Sequence, residues 1–294
     1  MFTLAHLSDP HLAPLPEPRW SELIGKRGTG YVNWWRWRRF IHDRAVLDKI
    51  VADLKQQAPD HIAVTGDLAN IALPEEFTRG RQWLDLLGSS KDVTLVPGNH
   101  DIYVRGAKVL AQHAWGAHMC SDDGHAGFPF ARRRGPLALI GLSTGVPTAP
   151  LIATGRLGEA QLTRLGETLA ALAGEKVFRV VLIHHPPVTE AKRHKLLTDR
   201  ADFLRVLAAH GAELVLHGHD HLHMLNWLSG PNGTRVPAVG VPSASAAPGK
   251  SKQSAGYNLY AIDGVPGAWT CELISRGIGS AGTVIEQQRL KLFG

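Results

Sequence analysis

Residues 93–101 read VTLVPGNHD, a short apolar run that stops at Pro97-Gly98 and passes at once into Asn, His and Asp. A run of this length, bounded by Pro and Gly, reads as a buried strand ending in a loop. The same grammar recurs on both sides of it. Residues 2–11 (FTLAHLSDPH) run into Asp9-Pro10-His11, and residues 61–67 (HIAVTGD) into Gly66-Asp67. Residues 178–187 (FRVVLIHHPP) end in His184-His185-Pro186-Pro187, and residues 213–221 (ELVLHGHDH) in Gly218-His219-Asp220-His221. The strands expected are Phe2–Leu7, His61–Thr65, Val93–Val96, Leu137–Leu142, Phe178–Ile183, Glu213–Leu216, Val236–Val241 and Leu259–Ile262. Between them, Arg44–Gln57, Glu76–Leu87, Glu159–Ala173 and Arg200–His210 space their apolar residues as amphipathic helices do. Strand–helix alternation predicts an α/β fold with helices on the sheet faces. The last third, from Val236, turns β-rich, so mixed sheets are expected.

Composition excludes several classes. A chain of 294 residues that is 44% hydrophobic, with 31 Gly and 18 Pro, is neither disordered nor collagen-like. It is long enough to bury a substantial core. Cys120 and Cys271 are too few for a disulfide framework or a cysteine zinc site, and they suit a reducing compartment. The opening MFTLAHLSDPHL shows no basic segment before an apolar run, so no signal peptide is expected. No apolar run approaches the ~18 residues of a spanning helix. A cytoplasmic chain follows as the expectation. There is no internal repeat, and Ser243–Ser254 (SASAAPGKSKQS) reads as a mobile loop.

The outlier is histidine, with 16 copies. The five motifs lie in loops beyond strand ends, where open α/β sheets place ligands. Asp, His and Asn offer oxygen and nitrogen donors without thiolate, which suits Mn, Fe or Zn in a hydrolytic site better than a structural zinc. In D-x-H and H-x-H the two side chains point to the same side of an extended backbone, so each pair can grip a metal. The glycines before Asp67, Asn99 and His219 allow sharp turns and close backbone approach. Two divalent ions ~3.5–4 Å apart need about seven or eight protein ligands with one carboxylate shared, and the motifs supply that number. Taken singly, Asp9 and His11 read as a helix cap and a surface histidine, and Gly66-Asp67 as a turn. The ordered set of five has no such reading.

In that order the motifs resemble the calcineurin-like metallophosphoesterase superfamily, and HHPP with GHxH resembles its bacterial class III cyclic-nucleotide-phosphodiesterase-like branch. The resemblance spans roughly Leu4 to His221. It implies a βα-sandwich of two mixed sheets flanked by helices. It implies that Asp9, His11 and His221 hold one metal, that Asn99, His184 and His219 hold a second, and that Asp67 bridges them. His100 would face the substrate phosphate, with Asp101 orienting its imidazole. A metal-bridging hydroxide would attack phosphorus in line with the departing alkoxide. His100 would then stabilise the developing charge or protonate the leaving group.

The other histidines divide. His6 reads as a core or supporting residue. His185, His217 and His223 lie close enough in sequence to reach the edge of the site. His42, His61, His113, His118, His125, His194 and His210 default to surface or packing roles.

The basic charge is local. Glu17–Arg44 holds seven Lys or Arg against three Asp or Glu, or +4 of the chain's +6. It also holds Trp20, Trp34, Trp35 and Trp37, most of them in YVNWWRWRRF. This stretch follows Asp9-x-His11 and is expected to form a helical cap beside the metals. Three readings stand: Trp packed on the sandwich with Arg in solvent, a peripheral contact with the inner face of a membrane or a lipid substrate, and stacking on nucleotides or nucleic acid. The end of the 282–294 tail, VIEQQRLKLF, reads as a small amphipathic helix. The chain is thus expected to be a single metallophosphoesterase domain over 1–294 and a dinuclear phosphodiesterase for a phosphate-ester small molecule. The alternatives are a membrane-associated pyrophosphatase or phosphodiesterase on a nucleotide-linked lipid, a nuclease, and a non-catalytic scaffold.

Overall fold

The computed structural model describes residues 1–294 as two facing six-stranded sheets. With strands numbered in chain order, the first sheet runs β12 (Val284–Phe293), β11 (Ala268–Ile278), β10 (Gly256–Val265), β1 (Phe2–Leu7), β2 (His61–Val64), β3 (Val93–Leu95). The second runs β4 (Phe130–Arg134), β5 (Leu137–Gly141), β6 (Phe178–Leu182), β7 (Leu214–His217), β9 (Arg235–Gly240), β8 (Met224–Ser229). Both sheets are mixed: β1–β2–β3 and β5–β6–β7–β9 are parallel, and their flanking strands are antiparallel. All eight expected strands form, with ends displaced by at most three residues.

Continuous apolar runs explain the layering. On β5, Leu137 and Leu139 enter the core between the sheets, while Ala138 and Ile140 face outward. The outward pair is covered by α5 (Glu159–Ala173) and α6 (Arg200–His210) through Leu165, Leu169, Phe203 and Leu207. Strands buried on both faces need no polar alternation, as in other helix-covered parallel sheets. The first sheet is covered by α2 (Arg44–Gln56), α3 (Pro74–Leu87) and α4 (Ala107–Trp115), with Leu47, Ile50, Leu84 and Trp115 buried. No helix is long and apolar enough to cross a membrane.

Two expectations fail for physical reasons. VIEQQRLKLF is not a helix but β12, paired antiparallel with β11 so that Ile285 faces Gly277 and Leu290 faces Leu273. Ten residues are too few for a stable helix without packing, whereas β11 offers a row of unpaired backbone groups that a strand satisfies. Ser243–Ser254 is a loop throughout, but its first four residues are held in the protein rather than free at the surface. Ser243, Ala244, Ser245 and Ala246 are buried, and the Ser243 hydroxyl donates to the Asp9 carbonyl at 2.7 Å. Exposure begins beyond them, at Pro248.

The expected cap is helical. A short turn at Trp20–Leu23 leads into α1 (Lys26–Arg36) and a second turn at Arg38–Phe40. Gly28 and Gly30 cost this helix about 1 kcal/mol each relative to alanine. Gly30 is needed all the same, because a Cβ there would overlap the Tyr103 hydroxyl and Ile71. The arm is fastened by Arg27, which donates to the Ala72 carbonyl at 2.6 Å, and by Lys26, which reaches Thr148 Oγ1 at 2.6 Å.

Candidate metal centre

The five motif loops leave the carboxyl ends of β1, β2, β3, β6 and β7 at one end of the sandwich, and they are stitched together by backbone. The Asp9 amide donates to the Gly66 carbonyl at 2.9 Å, His11 to Asp67 at 3.0 Å, and Gly218 to His184 at 3.1 Å. A Cβ at Gly98 would overlap the Asp67 carboxylate, and one at Gly218 would overlap Ser8 and Asp9. Asp9, His11, Asp67, His219 and His221 all adopt positive φ, at 53°, 35°, 57°, 69° and 56°. Such conformations cost of order 1–3 kcal/mol for non-glycine residues and persist where the surroundings over-determine them. Their concentration in these loops marks the place where the fold gives up stability to aim side chains.

All seven expected ligands converge. His221 Nε2 lies 3.1 Å from Asp9 Oδ1, and His11 Nε2 lies 3.9 Å from the same oxygen and 3.8 Å from Asp67 Oδ2. His184 Nε2 lies 3.4 Å from Asp67 Oδ2. Asn99 Oδ1 faces His184 Nε2 at 3.1 Å and His219 Nδ1 at 2.9 Å. Two groups satisfy metal-ligand spacing, Asp9 with His11 and His221, and Asp9 with Asp67 and His184. Each carboxylate divides its oxygens. Asp9 Oδ2 accepts from the His219 amide at 3.0 Å and Asp67 Oδ1 from the His100 amide at 2.7 Å, which leaves the other oxygen toward the imidazoles.

Backbone carbonyls set the tautomers. A carbonyl only accepts, so the ring nitrogen facing it carries the proton. His11 Nδ1 donates to Ala69 O at 3.0 Å and His184 Nδ1 to Thr65 O at 2.6 Å, which turns each Nε2 inward. His219 is reversed: its Nε2 donates to Lys195 O at 3.0 Å and its Nδ1 lone pair faces the site. Histidines that bind metal usually donate the far ring N–H to a carbonyl, carboxylate or water, and these three are held in that way. Charge agrees. Burial works against the Asp9 and Asp67 carboxylates, yet His221 for Asp9 and His184 for Asp67 hold both below the usual carboxylate range. Burial works against a second proton on His184, but Asp67 and then Asp9 raise its pKa to about 10, so without metal Nε2 also carries a proton where the carboxylates would favour a divalent cation in its place. Two ionised carboxylates in a buried, nitrogen-lined site fit divalent cations.

Of the two expected catalytic residues, His100 lines the same cleft and Asp101 lies beneath it, in a role the sequence did not suggest. Asp101 does not orient the imidazole. Its Oδ2 accepts from the Asp67 and Gly98 amides at 2.8 Å each, and Oδ1 from Ala69 at 2.9 Å, so it clamps the β2 loop to the β3 loop. Burial, and then the Asp67 charge, push its pKa up to about 7. The His100 ring is held instead by Asn70 O, 2.5 Å from Nδ1. Glu76 adds a second clamp, accepting from the Asn70, Ile71 and Leu73 amides at 2.5, 3.1 and 2.9 Å.

Two other residues at the site, His42 and Arg38, escaped the sequence, whereas His185 and His6 take supporting places that it allowed. His42, set aside as a packing residue, lies with its ring centroid 4.4 Å from that of His11 and donates to or accepts from Ser245 Oγ at 2.8 Å. Arg38 brings its guanidinium against His11 and His100. Nothing in WRWRRF distinguishes Arg38 from its neighbours until the arm folds. His185 supports from behind, with Nδ1 2.7 Å from Thr144 Oγ1 and its ring 4.2 Å from that of His219. His6 is a buried supporting residue, bonded to Thr65 Oγ1 at 2.9 Å.

Residues 2–223 match the calcineurin-like phosphoesterase family, and the chain belongs to it. The family's description as phosphoesterases fits a cleft lined by carboxylates and imidazoles at metal-ligand spacing. The chain is 30% identical over 176 residues to a protein of Synechococcus sp. described as a "probable cyclic nucleotide phosphodiesterase", a match that spans 58% of this chain and 62% of that relative. Its fold is similar to a dimetal phosphatase from Danio rerio, at 15% identity and a TM-score of 0.65, covering 99% of this chain and 98% of that one. It is also similar to a purple acid phosphatase from yellow lupin, at 13% identity and a TM-score of 0.60, covering 99% and 53%.

Proposed function

We propose that this chain is a cytoplasmic phosphodiesterase in which Asp9, His11 and His221 hold one divalent ion, Asn99, His184 and His219 hold the other, and Asp67 serves both. The observation that carries the ligand set is the hydrogen-bond pattern, with three imidazoles each fixed by a carbonyl on one nitrogen and each turning the other nitrogen to a shared centre. The donor set favours Mn, Fe or Zn. When bound, such ions supply Lewis acidity and a water that ionises near neutral pH. The chain's own residues do the rest. Asp101 and Glu76 fix the loops, and His100, anchored through Nδ1, offers Nε2 to a substrate oxygen for charge stabilisation or protonation of the leaving group. The preference for diesters draws support from the Synechococcus relative's description and from a cleft of about 1180 Å³, which has room for two ester substituents. Both cysteines are free thiols, in keeping with the cytoplasm.

The test is hydrolysis of bis(p-nitrophenyl) phosphate after reconstitution with Mn²⁺. Turnover is expected to fall by at least about a thousandfold in Asp67→Ala and Asn99→Ala. Activity indifferent to chelation, or retained in both variants, rules the reading out.

A second reading keeps the chemistry and places the substrate at a membrane, as with a nucleotide-linked lipid. It is favoured by the arm, where Trp20, Trp35 and Trp37 are 90%, 50% and 67% exposed beside Arg36 and Arg39. Of the three readings of the arm, packed tryptophans fit least, since only Trp34 leans on the core. Indoles and arginines together suit an anionic headgroup layer. Flotation with phosphatidylglycerol vesicles is expected to carry the wild type but not Trp35→Ala/Trp37→Ala. Absence of wild-type binding removes this reading and leaves the first intact.

A further inference from the structure

The arm carries five cations between Lys26 and Arg39, and four of them are accounted for. Lys26 is bound to Thr148 Oγ1 and Ile152 O, and Arg27 to Ile71 O and Ala72 O. Arg36 is exposed, and Arg39 lies over the Trp35 and Phe40 rings. Arg38 differs. It is partly buried, and its guanidinium points into the cleft, with Nη2 2.9 Å from both His11 nitrogens and Nη1 3.0 and 2.8 Å from those of His100.

These contacts do not satisfy it. A nitrogen equally far from both nitrogens of a ring lies along neither lone pair. On each ring Nδ1 already gives its proton to a carbonyl, Ala69 O or Asn70 O, and so cannot accept. The His11 Nε2 lone pair belongs to the metal site. Asp9 and Asp67 are near enough to act on the Arg38 charge, but both are committed to imidazoles, amides and metal. A guanidinium is a planar fork suited to two oxygens of one anion, and the anion that reaches this cleft is the substrate's phosphoryl group.

We propose that Arg38 is a substrate-binding residue that grips non-bridging phosphoryl oxygens across from the metals, so that the arm completes the anion site. The proposal rests on the phosphoesterase reading, and its test separates the two. Inorganic phosphate is titrated calorimetrically into Mn²⁺-reconstituted wild type, Arg38→Ala and Arg38→Lys, with metal content and melting temperature measured on each. Arg38→Ala is expected to keep its metal and weaken phosphate binding roughly ten- to hundredfold. Arg38→Lys, with a point charge but no fork, is expected to recover only part of that. On bis(p-nitrophenyl) phosphate, kcat/KM should fall in parallel. Phosphate affinity within twofold of wild type, faster turnover in Arg38→Ala as for a removed obstruction, or loss of bound metal would each overturn the proposal. A wild type that binds phosphate through Arg38 yet hydrolyses no diester would refute the phosphodiesterase reading alone.

Discussion

The loops carrying Asp9, Asp67, Asn99, His184 and His219 and the arm at 17–44 face each other across one cleft, and they are built differently. In the loops nearly every polar atom is fixed, and Asp9 and Asp67 each have one oxygen bonded to an amide and the other aimed at imidazoles. In the arm α1 buries no residue, and tryptophans stand in solvent. Chemistry common to a family must hold ligand atoms to fractions of an ångström, which takes buried, over-determined backbone. A surface that selects a substrate need only present the right chemistry at the mouth. Arg38 is where the two meet.

Substitution should expose this contrast, and the largest effect on stability is expected at Asp101. Asparagine there sets an N–H against a backbone N–H whichever way its amide turns, because both carboxylate oxygens accept. Asp101→Asn should cost about 2–3 kcal/mol in urea unfolding and most of the activity, although the residue touches no substrate. An active variant of wild-type stability would show the loops to be less tightly specified than their hydrogen bonds imply.

An intermediate effect is expected at Asp53, far from the cleft, which ties α2 to β10 and β11 through Tyr257 Oη at 2.5 Å and Arg276 at 2.7 and 2.8 Å. Burial would raise its pKa, but the Arg276 and Tyr257 hydrogen bonds outweigh that and hold it below 3.8. A depressed folded pKa stabilises fully above the unfolded value and loses that stabilisation as pH falls through the folded one. Asp53→Asn should therefore cost about 1–2 kcal/mol at pH 7, and the gap to wild type should close below about pH 3.8. A gap independent of pH would assign the effect to shape rather than charge. The smallest effect is expected in the arm. Trp35→Ala/Trp37→Ala should stay within ~0.5 kcal/mol of wild type, and a larger loss would mean that these rings pack rather than recognise.

The same contrast governs what could be read from the chain. The metal loops were legible because their constraints are local: a Val/Ile/Leu run, a glycine where a Cβ would overlap Asp67, and a donor two residues from another. Asp101 was legible as a site residue but not in its role, since only the fold shows three amides converging on it. The arm was legible as a helix and illegible in orientation, because one-residue steps through WRWRRF decide which arginine faces inward. At the C-terminus, Ile285 is seven residues from Leu292 and eight from Phe293, spacings that one face of a helix would share, and pairing with β11, a non-local partner, overrode it.

The contact between His221 Nε2 and Asp9 Oδ1 closes a loop of 212 residues. β1, the strand that delivers Asp9, is flanked on one side by β10, beyond residue 255. A ribosome-bound chain that has not yet reached His219 and His221 holds Asp9 without the amide and the ring that face its two oxygens, and contacts so distant in sequence form late and slowly. During synthesis the centre is therefore among the last features to assemble, and the capacity to hold metal reports that both ends of the polypeptide have found each other.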